Sequence, residues 1–209
     1  MLRTDAADLL ADDDDDALVD ELDRAQRAMT GADRAALVAA GVPLAPIAML
    51  VGVAEIELDR SGTTYQPVDG GPRAFVIPVR VGPDDQMEQI DYDLVPWFGD
   101  LVDVVAISIR HAGRWALRRG SATWLGAIGP QYCDPPLVPV RRSPLSWLRA
   151  GCVGICPLSR NTSEVQALLV RCRSIGAEDA AHARELRRLL ERPLAAPRVV
   201  VAARCKELV

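Results

Sequence analysis

Apolar and polar positions change period several times along this chain, and each change marks a predicted element. Leu18, Leu22, Ala25 and Met29 recur at helical spacing, preceded by the aspartates Asp12 to Asp16 and followed by Gly31. Acids at the positive end of the helix dipole, Arg24 and Arg27 near its other end and a glycine stop together predict an amphipathic helix with an acidic lead-in. Residues 32–40, the turn Gly41-Val42-Pro43 and residues 44–51 predict two short helices joined tightly, like the first two helices of a helix-turn-helix. Where a recognition helix would follow, Val53-Ala54-Glu55-Ile56-Glu57-Leu58-Asp59 alternates apolar and acidic residues, which suits a strand and repels DNA. A structural helix pair is therefore the better expectation.

From Ala54 the pattern is β. Strands at 54–58, 63–68 and 74–81, separated by Asp59-Arg60-Ser61-Gly62 and Asp69-Gly70-Gly71-Pro72, predict a small antiparallel meander. Residues 81–93 are polar and turn-rich, hence a loop, and the β-branched run 101–109 predicts a buried strand. Residues 115–125 read as a helix weakened at Gly120, 128–139 as a proline-interrupted connection, and 144–149 as a short helix. In the last quarter a strand at 152–158, a helix at 162–172, an extended piece at 174–177, a helix at 178–191 and a strand at 199–202 predict a small parallel sheet with crossover helices. Asn161 followed by Glu164 suits a capping box opening the first of these helices. The expected fold class is α+β: an acidic helical head (1–31), an α+β body with an Arg/Trp-rich segment (32–150), and a C-terminal α/β, βαβαβ-like subdomain (151–209).

Composition narrows the function classes. With 209 residues, 49% apolar and 25% charged, the chain can bury a substantial core. No uninterrupted apolar run reaches the length needed to span a bilayer, and Leu9 and Leu10 run directly into aspartates, unlike a secretory signal. A cytoplasmic protein without a membrane partner is expected. Cys133, Cys152, Cys156, Cys172 and Cys205 are odd in number and irregularly spaced, so reduced thiols are expected rather than a disulfide framework. Charge is divided along the chain: residues 1–23 carry ten acids against Arg3, and residues 104–149 carry seven arginines against Asp134. The net charge of −5 hides a body that is positive overall.

Enzymatic signatures are missing. His111 and His182 stand in no metalloprotease or nucleophile-elbow context, and Cys152 and Cys156 flank an apolar strand-like segment with no second ligand pair nearby. The acids Glu55, Glu57, Asp59, Asp84, Asp85, Glu88, Asp91 and Asp93 read as solvated faces, and no glycine-rich phosphate cradle exists. No catalytic residue, metal or cofactor is predicted. The remaining candidate chemistry is cationic and aromatic. Arg110, Arg114, Arg118 and Arg119 surround Trp115 and lead into Trp124, while Arg141, Arg142 and Arg149 accompany Trp147. Guanidinium groups beside indoles can grip phosphates while bases stack on the rings, as single-stranded nucleic acid requires. The competing expectation is that the tryptophans are core and the arginines a solvated face. The aspartate run has a possible second role, covering the basic block until a partner displaces it.

Segments 99–105 (Gly-Asp-Leu-Val-Asp-Val-Val), 114–118 (Arg-Trp-Ala-Leu-Arg), 124–126 (Trp-Leu-Gly) and 144–151 (Pro-Leu-Ser-Trp-Leu-Arg-Ala-Gly) resemble uncharacterised phage- or prophage-type proteins of GC-rich bacteria. That resemblance covers most of residues 32–202. The order of parts is also similar to bacterial-type DNA primases, in which a β-rich zinc-ribbon module ends in a Gly-Asp-x-x-Asp-like segment ahead of a Toprim-type sheet. Residues 60–100 contain no cysteine and the segment 152–158 no glutamate, so the resemblance implies a relative without metal or catalysis. The resulting expectation is a non-enzymatic accessory protein of a phage-like or mobile element, binding single-stranded nucleic acid or a replication partner. The alternatives are a protein–protein adaptor docking through residues 1–30 or the C-terminal helices, and a degenerate or metal-dependent primase- or nuclease-like enzyme.

Overall fold

The computed structural model describes residues 6–81, 99–108, 110–111, 113–126 and 137–192, with side chains from residue 16 onward. Helix α1 (Ala6–Arg27) buries the predicted stripe of Leu18, Leu22 and Ala25. Thr30 then caps α2 (Gly31–Ala39) with a capping box: its hydroxyl accepts from the Asp33 N–H, and the Asp33 carboxylate accepts from the Thr30 N–H at 2.8 Å. Helix α3 (Leu44–Met49) follows a turn at Gly41 with φ of 86°, and the next element is strand β1 (Gly52–Leu58). The helix pair thus leads into a sheet and has no recognition helix behind it.

Strands β2 (Tyr65–Pro67), β3 (Arg73–Val81), β4 (Asp100–Ile107) and β5 (Trp115–Leu117) complete a five-stranded sheet of order β2-β1-β3-β4-β5, each neighbouring pair antiparallel. A simple meander would place β2 between β1 and β3; here β2 lies outside β1, and the link 68–72 passes across β1. Glycine is required on that crossing, because a Cβ on Gly71 would lie 2.7 Å from the Ile56 carbonyl oxygen. The Glu55 carboxylate fixes the same link by accepting from the Gly70 N–H at 2.7 Å. The outer strands meet as well: the Leu117 N–H donates to the Thr63 carbonyl at 2.9 Å, and Thr64 and Leu117 form a parallel bridge. The sheet therefore closes on itself at one end, where β2 and β5 would otherwise offer free edges.

Alternation along the strands gives each face its own core. On one face α1 packs Leu18, Leu22 and Ala25 against Ile56, Tyr65, Val76, Val104, Ala106 and Ala116. At Gly52 the helix is so close that a Cβ would stand 2.7 Å from the Ala25 Cβ. The segment expected to be an acidic head is thus an integral layer of the body, each buried leucine contributing about 1.5–3 kcal/mol of apolar transfer energy. The opposite face joins Phe75, Ile77, Val105 and Ile107 to α2, α3, Trp147 and Leu148.

The expected helix over 115–125 is not present. Residues 115–117 pair with β4 as β5, and residues 124–125 form the short strand β6 (Trp124–Leu125). Asp103 supplies the reason. Its buried carboxylate accepts from the backbone N–H groups of Arg119, Ser121 and Ala122 at 2.9, 2.9 and 3.2 Å, holding as a turn the stretch that a helix would have used. Gly120, at φ of 75°, makes the bend.

In the C-terminal part, β7 (Val138–Pro139) pairs parallel with β9 (Ile175–Gly176), and Val140 bridges Ile155 in parallel. The parallel arrangement expected for residues 152–158 and 174–177 is thus realised through a middle strand at 138–140, at the end of the stretch 128–139 expected to be irregular. Helix α4 (Pro144–Arg149) lies between the first two pieces and α5 (Thr162–Leu169) between the second and third, with α6 (Ala180–Leu190) following. The segment 152–158 is a strand only at β8 (Cys156–Pro157), which pairs antiparallel with β6. Asn161 caps α5 by accepting from the Ser163 N–H, while Glu164 takes the Asn161 side-chain amide, so the expected reciprocal backbone box is not made. The expected loop at 81–93 and strand at 199–202 lie outside the described residues, apart from Val81 at the end of β3. Architecture of this kind is α+β. Among the described residues no helix is long and apolar enough to cross a membrane, and no group of three His, Cys, Asp or Glu side chains is placed to hold a metal ion.

Candidate nucleic-acid interface

Of the two Arg/Trp stretches, the second is bound up in the fold. Pro144 opens α4 behind a Ser143 cap, and its inward side carries Leu145, Trp147 and Leu148. Trp147 is 1% exposed and its indole N–H donates to the Gly154 carbonyl at 3.0 Å, so no base can stack on it. Arg142 grips Asp179 with both terminal nitrogens, at 2.6 and 3.0 Å, and lies 3.5 Å from Glu185. That pairing, with the His182 N–H, lowers the Asp179 carboxyl to about 2. Arg141 donates to the Val153 carbonyl and Arg149 to the Ala40 carbonyl at 2.6 Å. Trp124 is half-buried against the third apolar cluster, which includes Val138, Ile155 and Leu168.

The first stretch is divided. Arg118 turns toward α1, where its Nε donates to Glu21 Oε2 at 2.9 Å; Glu21 is 5% exposed and also accepts from the Tyr65 hydroxyl at 2.8 Å. Burial and the Glu21 charge push the Tyr65 phenol far above its ordinary range. An acid of α1 does therefore cover a basic residue of the 110–119 block, through a buried carboxylate outside the aspartate run. Arg110, Arg114 and Arg119 are exposed. Arg110 and Arg114 have no ion pair among the described residues.

Two clefts meet at Trp115. The larger, about 510 Å³, has a floor of Ile56, Ala74, Ala106 and Ala116 on the same sheet face as α1. The alanines create it: Ala106 faces Ala116 across β4 and β5 in register, and short side chains there leave open space, whereas Tyr65, Val76 and Val104 fill more of the same face. Arg73, Arg114, Arg160 and His111 stand around this floor, with no acid in the lining among the described residues. Arg73 is partly neutralised by Asp33 at 2.9 Å. Arg160 donates to the Gly62 carbonyl at 3.0 Å, a neutral partner, and has no ion pair among the described residues. The second cleft, about 500 Å³, shares Trp115 and Arg160 with the first and adds Arg119, Ser121, Thr123 and Glu164. Its acid, Glu164, is already engaged by Ser159 and Asn161.

The geometry regroups the predicted residues. Trp115, Arg114 and Arg119 line the paired clefts, and Arg110 lines a neighbouring one with Arg73. Neither of the paired clefts is lined by Arg141, Arg142, Arg149, Trp124 or Trp147. Arg160 and Arg73, absent from the sequence prediction, join the site only through tertiary contact; each is isolated in sequence among non-basic neighbours, and no local pattern marks them. No family model, curated protein or solved structure matches this chain.

Proposed function

We propose that this protein is a non-enzymatic nucleic-acid-binding accessory factor, of the kind a phage-like or mobile element encodes, that holds single-stranded nucleic acid across the clefts at Trp115. One observation carries the reading: half-buried Trp115 belongs to the linings of two clefts, and the larger is lined, among the described residues, by three arginines and no acid. A strand needs this combination, cations for its phosphates and an aromatic face for its bases. Arg110, Arg114 and Arg160 are the phosphate-facing cations and Trp115 the stacking platform.

Fluorescence anisotropy with a labelled dT12 strand tests the proposal. Three neutralised phosphates give a salt slope of about −2, so affinity falls roughly 20-fold between 50 and 200 mM salt. The double variant Arg114→Ala/Arg160→Ala flattens that slope. No binding at 50 mM salt, or an unchanged slope in the double variant, refutes the reading. The full chain is used throughout, because removing α1 would strip Leu18, Glu21 and Leu22 from the core.

A further inference from the structure

The larger cleft is more than a cationic surface, since a groove that only tracked phosphates would need no apolar floor. Ala106 and Ala116 are paired there across β4 and β5, and Ala74, Trp115, Ser61 and Ser108 complete the lining. A volume of about 510 Å³ is within the range of small-molecule pockets, roughly 300–1,000 Å³. An occupant must bring a flat, largely apolar body with polar edges, and an anion close to it for Arg114 and Arg160. Resting on the nucleic-acid reading above, we propose that this cleft is a base pocket: one nucleobase of the strand leaves the stack, lies over the alanine floor beside Trp115, and places its flanking phosphates on Arg114 and Arg160.

Three features favour a nucleobase over an aliphatic anion. The cleft is open to solvent, so a hydrocarbon tail would stay wet, whereas a base tolerates one exposed edge. The Ser108 hydroxyl, which accepts from the His111 N–H and keeps its own proton to donate, offers a hydrogen bond to a ring edge that an acyl chain could not use. The second cleft borders this one at Trp115 and Arg160, giving the rest of a strand an adjoining surface that a free small molecule would not need.

The floor makes a test that leaves charge unchanged. Ala74 is half-buried at the floor, and Ala74→Leu places a branched side chain where the base would lie. Binding of dT12 is compared with that of a 12-mer of abasic sugar-phosphate, in the wild type and in the variant. The base pocket predicts that wild type prefers dT12 by roughly 5- to 150-fold, the range for stacking one base, and that Ala74→Leu removes the preference while abasic binding holds. Equal binding of the two strands by wild type overturns the base pocket and leaves the cationic nucleic-acid reading standing. Failure to bind either strand overturns both.

Free nucleotide is the other source of the same chemistry. Competition with dTMP separates the two: a strand ligand predicts a dTMP affinity at least 100-fold weaker than that of dT12, and equal affinities would overturn strand insertion. A second measurement needs no variant. Irradiation of a 12-mer carrying 5-iododeoxyuridine should crosslink to Trp115, and a crosslink mapping only to peptides away from both clefts refutes the pocket.

Discussion

Arg118 belongs by sequence to the basic block and by structure to the core, and Arg118→Met separates the two roles. Its Nε lies 2.9 Å from Glu21 Oε2, the carboxylate is 6% exposed in its side chain, and the arginine side chain is 26% exposed. Removing one member of a buried pair costs about 3–5 kcal/mol, because the other charge is left without compensation. Two features lower that figure here. The partly exposed arginine site lets water reach the carboxylate, and the Tyr65 hydroxyl at 2.8 Å still donates to Glu21. A loss of about 2–3 kcal/mol remains once the full penalty is reduced for water access. Methionine keeps most of the aliphatic stem, so lost packing is a minor part.

With a urea m-value of about 2 kcal/mol/M, the midpoint followed by tryptophan fluorescence should fall by about 1–1.5 M. Glu21→Gln combined with Arg118→Met should cost less than the sum of the singles, with a coupling of about 1–3 kcal/mol. In parallel, dT12 affinity should stay within about twofold in folded Arg118→Met, whereas Arg114→Met, with no ionic partner among the described residues to lose, should weaken binding several-fold and leave stability alone. A midpoint change below about 0.25 M, or strictly additive singles, refutes the latch between α1 and the sheet.

Three other perturbations probe the frame that holds the clefts. Trp147→Phe removes the indole donor to the Gly154 carbonyl and should cost about 1–3 kcal/mol in urea unfolding, with dT12 binding unchanged in the folded protein. Gly126→Ala meets a backbone at φ of 83° and puts a Cβ 2.2 Å from the Gly154 carbonyl oxygen, so it should lose several kcal/mol or fail to accumulate as folded protein, read by circular dichroism and soluble yield. Burial and the neighbouring Arg142 charge hold the His182 imidazole below its ordinary 6.5, while the Glu178, Glu185 and Asp179 carboxylates pull the other way. A histidine depressed on folding stabilises fully above its unfolded value and loses that contribution as pH falls below about 6.5, with a slope of at most about 1.4 kcal/mol per pH unit. His182→Asn should therefore flatten the decline in urea midpoint between pH 7.5 and 5.5, and an equal decline in both proteins refutes it.

Elements whose partners lie close in sequence were legible, and elements defined by distant partners were not. The spacing of Leu18, Leu22 and Ala25 set the helix face, since 3.6-residue periodicity needs no knowledge of what covers it. Strands β1, β3 and β4 were marked by alternation or β-branched runs. Their order was not, because nothing local states that the link 68–72 crosses β1; only Gly70-Gly71 hints at a backbone passing closely. Residues 115–125 misled for a related reason. Trp-Ala-Leu-Arg-Arg has good helix propensity, and Asp103, sixteen residues before Arg119, overrides it by taking the N–H groups of the turn.

The two Arg/Trp stretches are alike in composition and opposite in fate, and the difference is partly legible in the sequence. In 144–149, Pro144, Leu145 and Leu148 fall at i, i+1 and i+4 behind a serine cap, which forms a short helix with one apolar side; Trp147 belongs to that side, and its burial follows from the pattern. In 115–117 the tryptophan begins a three-residue strand at the end of the sheet order, paired on one side by β4 and held on the other only where Thr63 and Thr64 meet Leu117. At the start of so short a strand a large ring cannot be covered on every side, so Trp115 keeps one surface open while its body leans on the core. The arginines divide by the same logic. Those near a helix end or a buried acid, Arg118, Arg142 and Arg149, take partners that the fold leaves wanting, and those on the turn between β4 and β5, Arg110 and Arg114, have no such partner within reach among the described residues. Uncompensated charge beside a half-covered indole is thus a consequence of where the sheet ends, and it is there, rather than along the whole basic segment, that the proposed polyanion would gain most by binding.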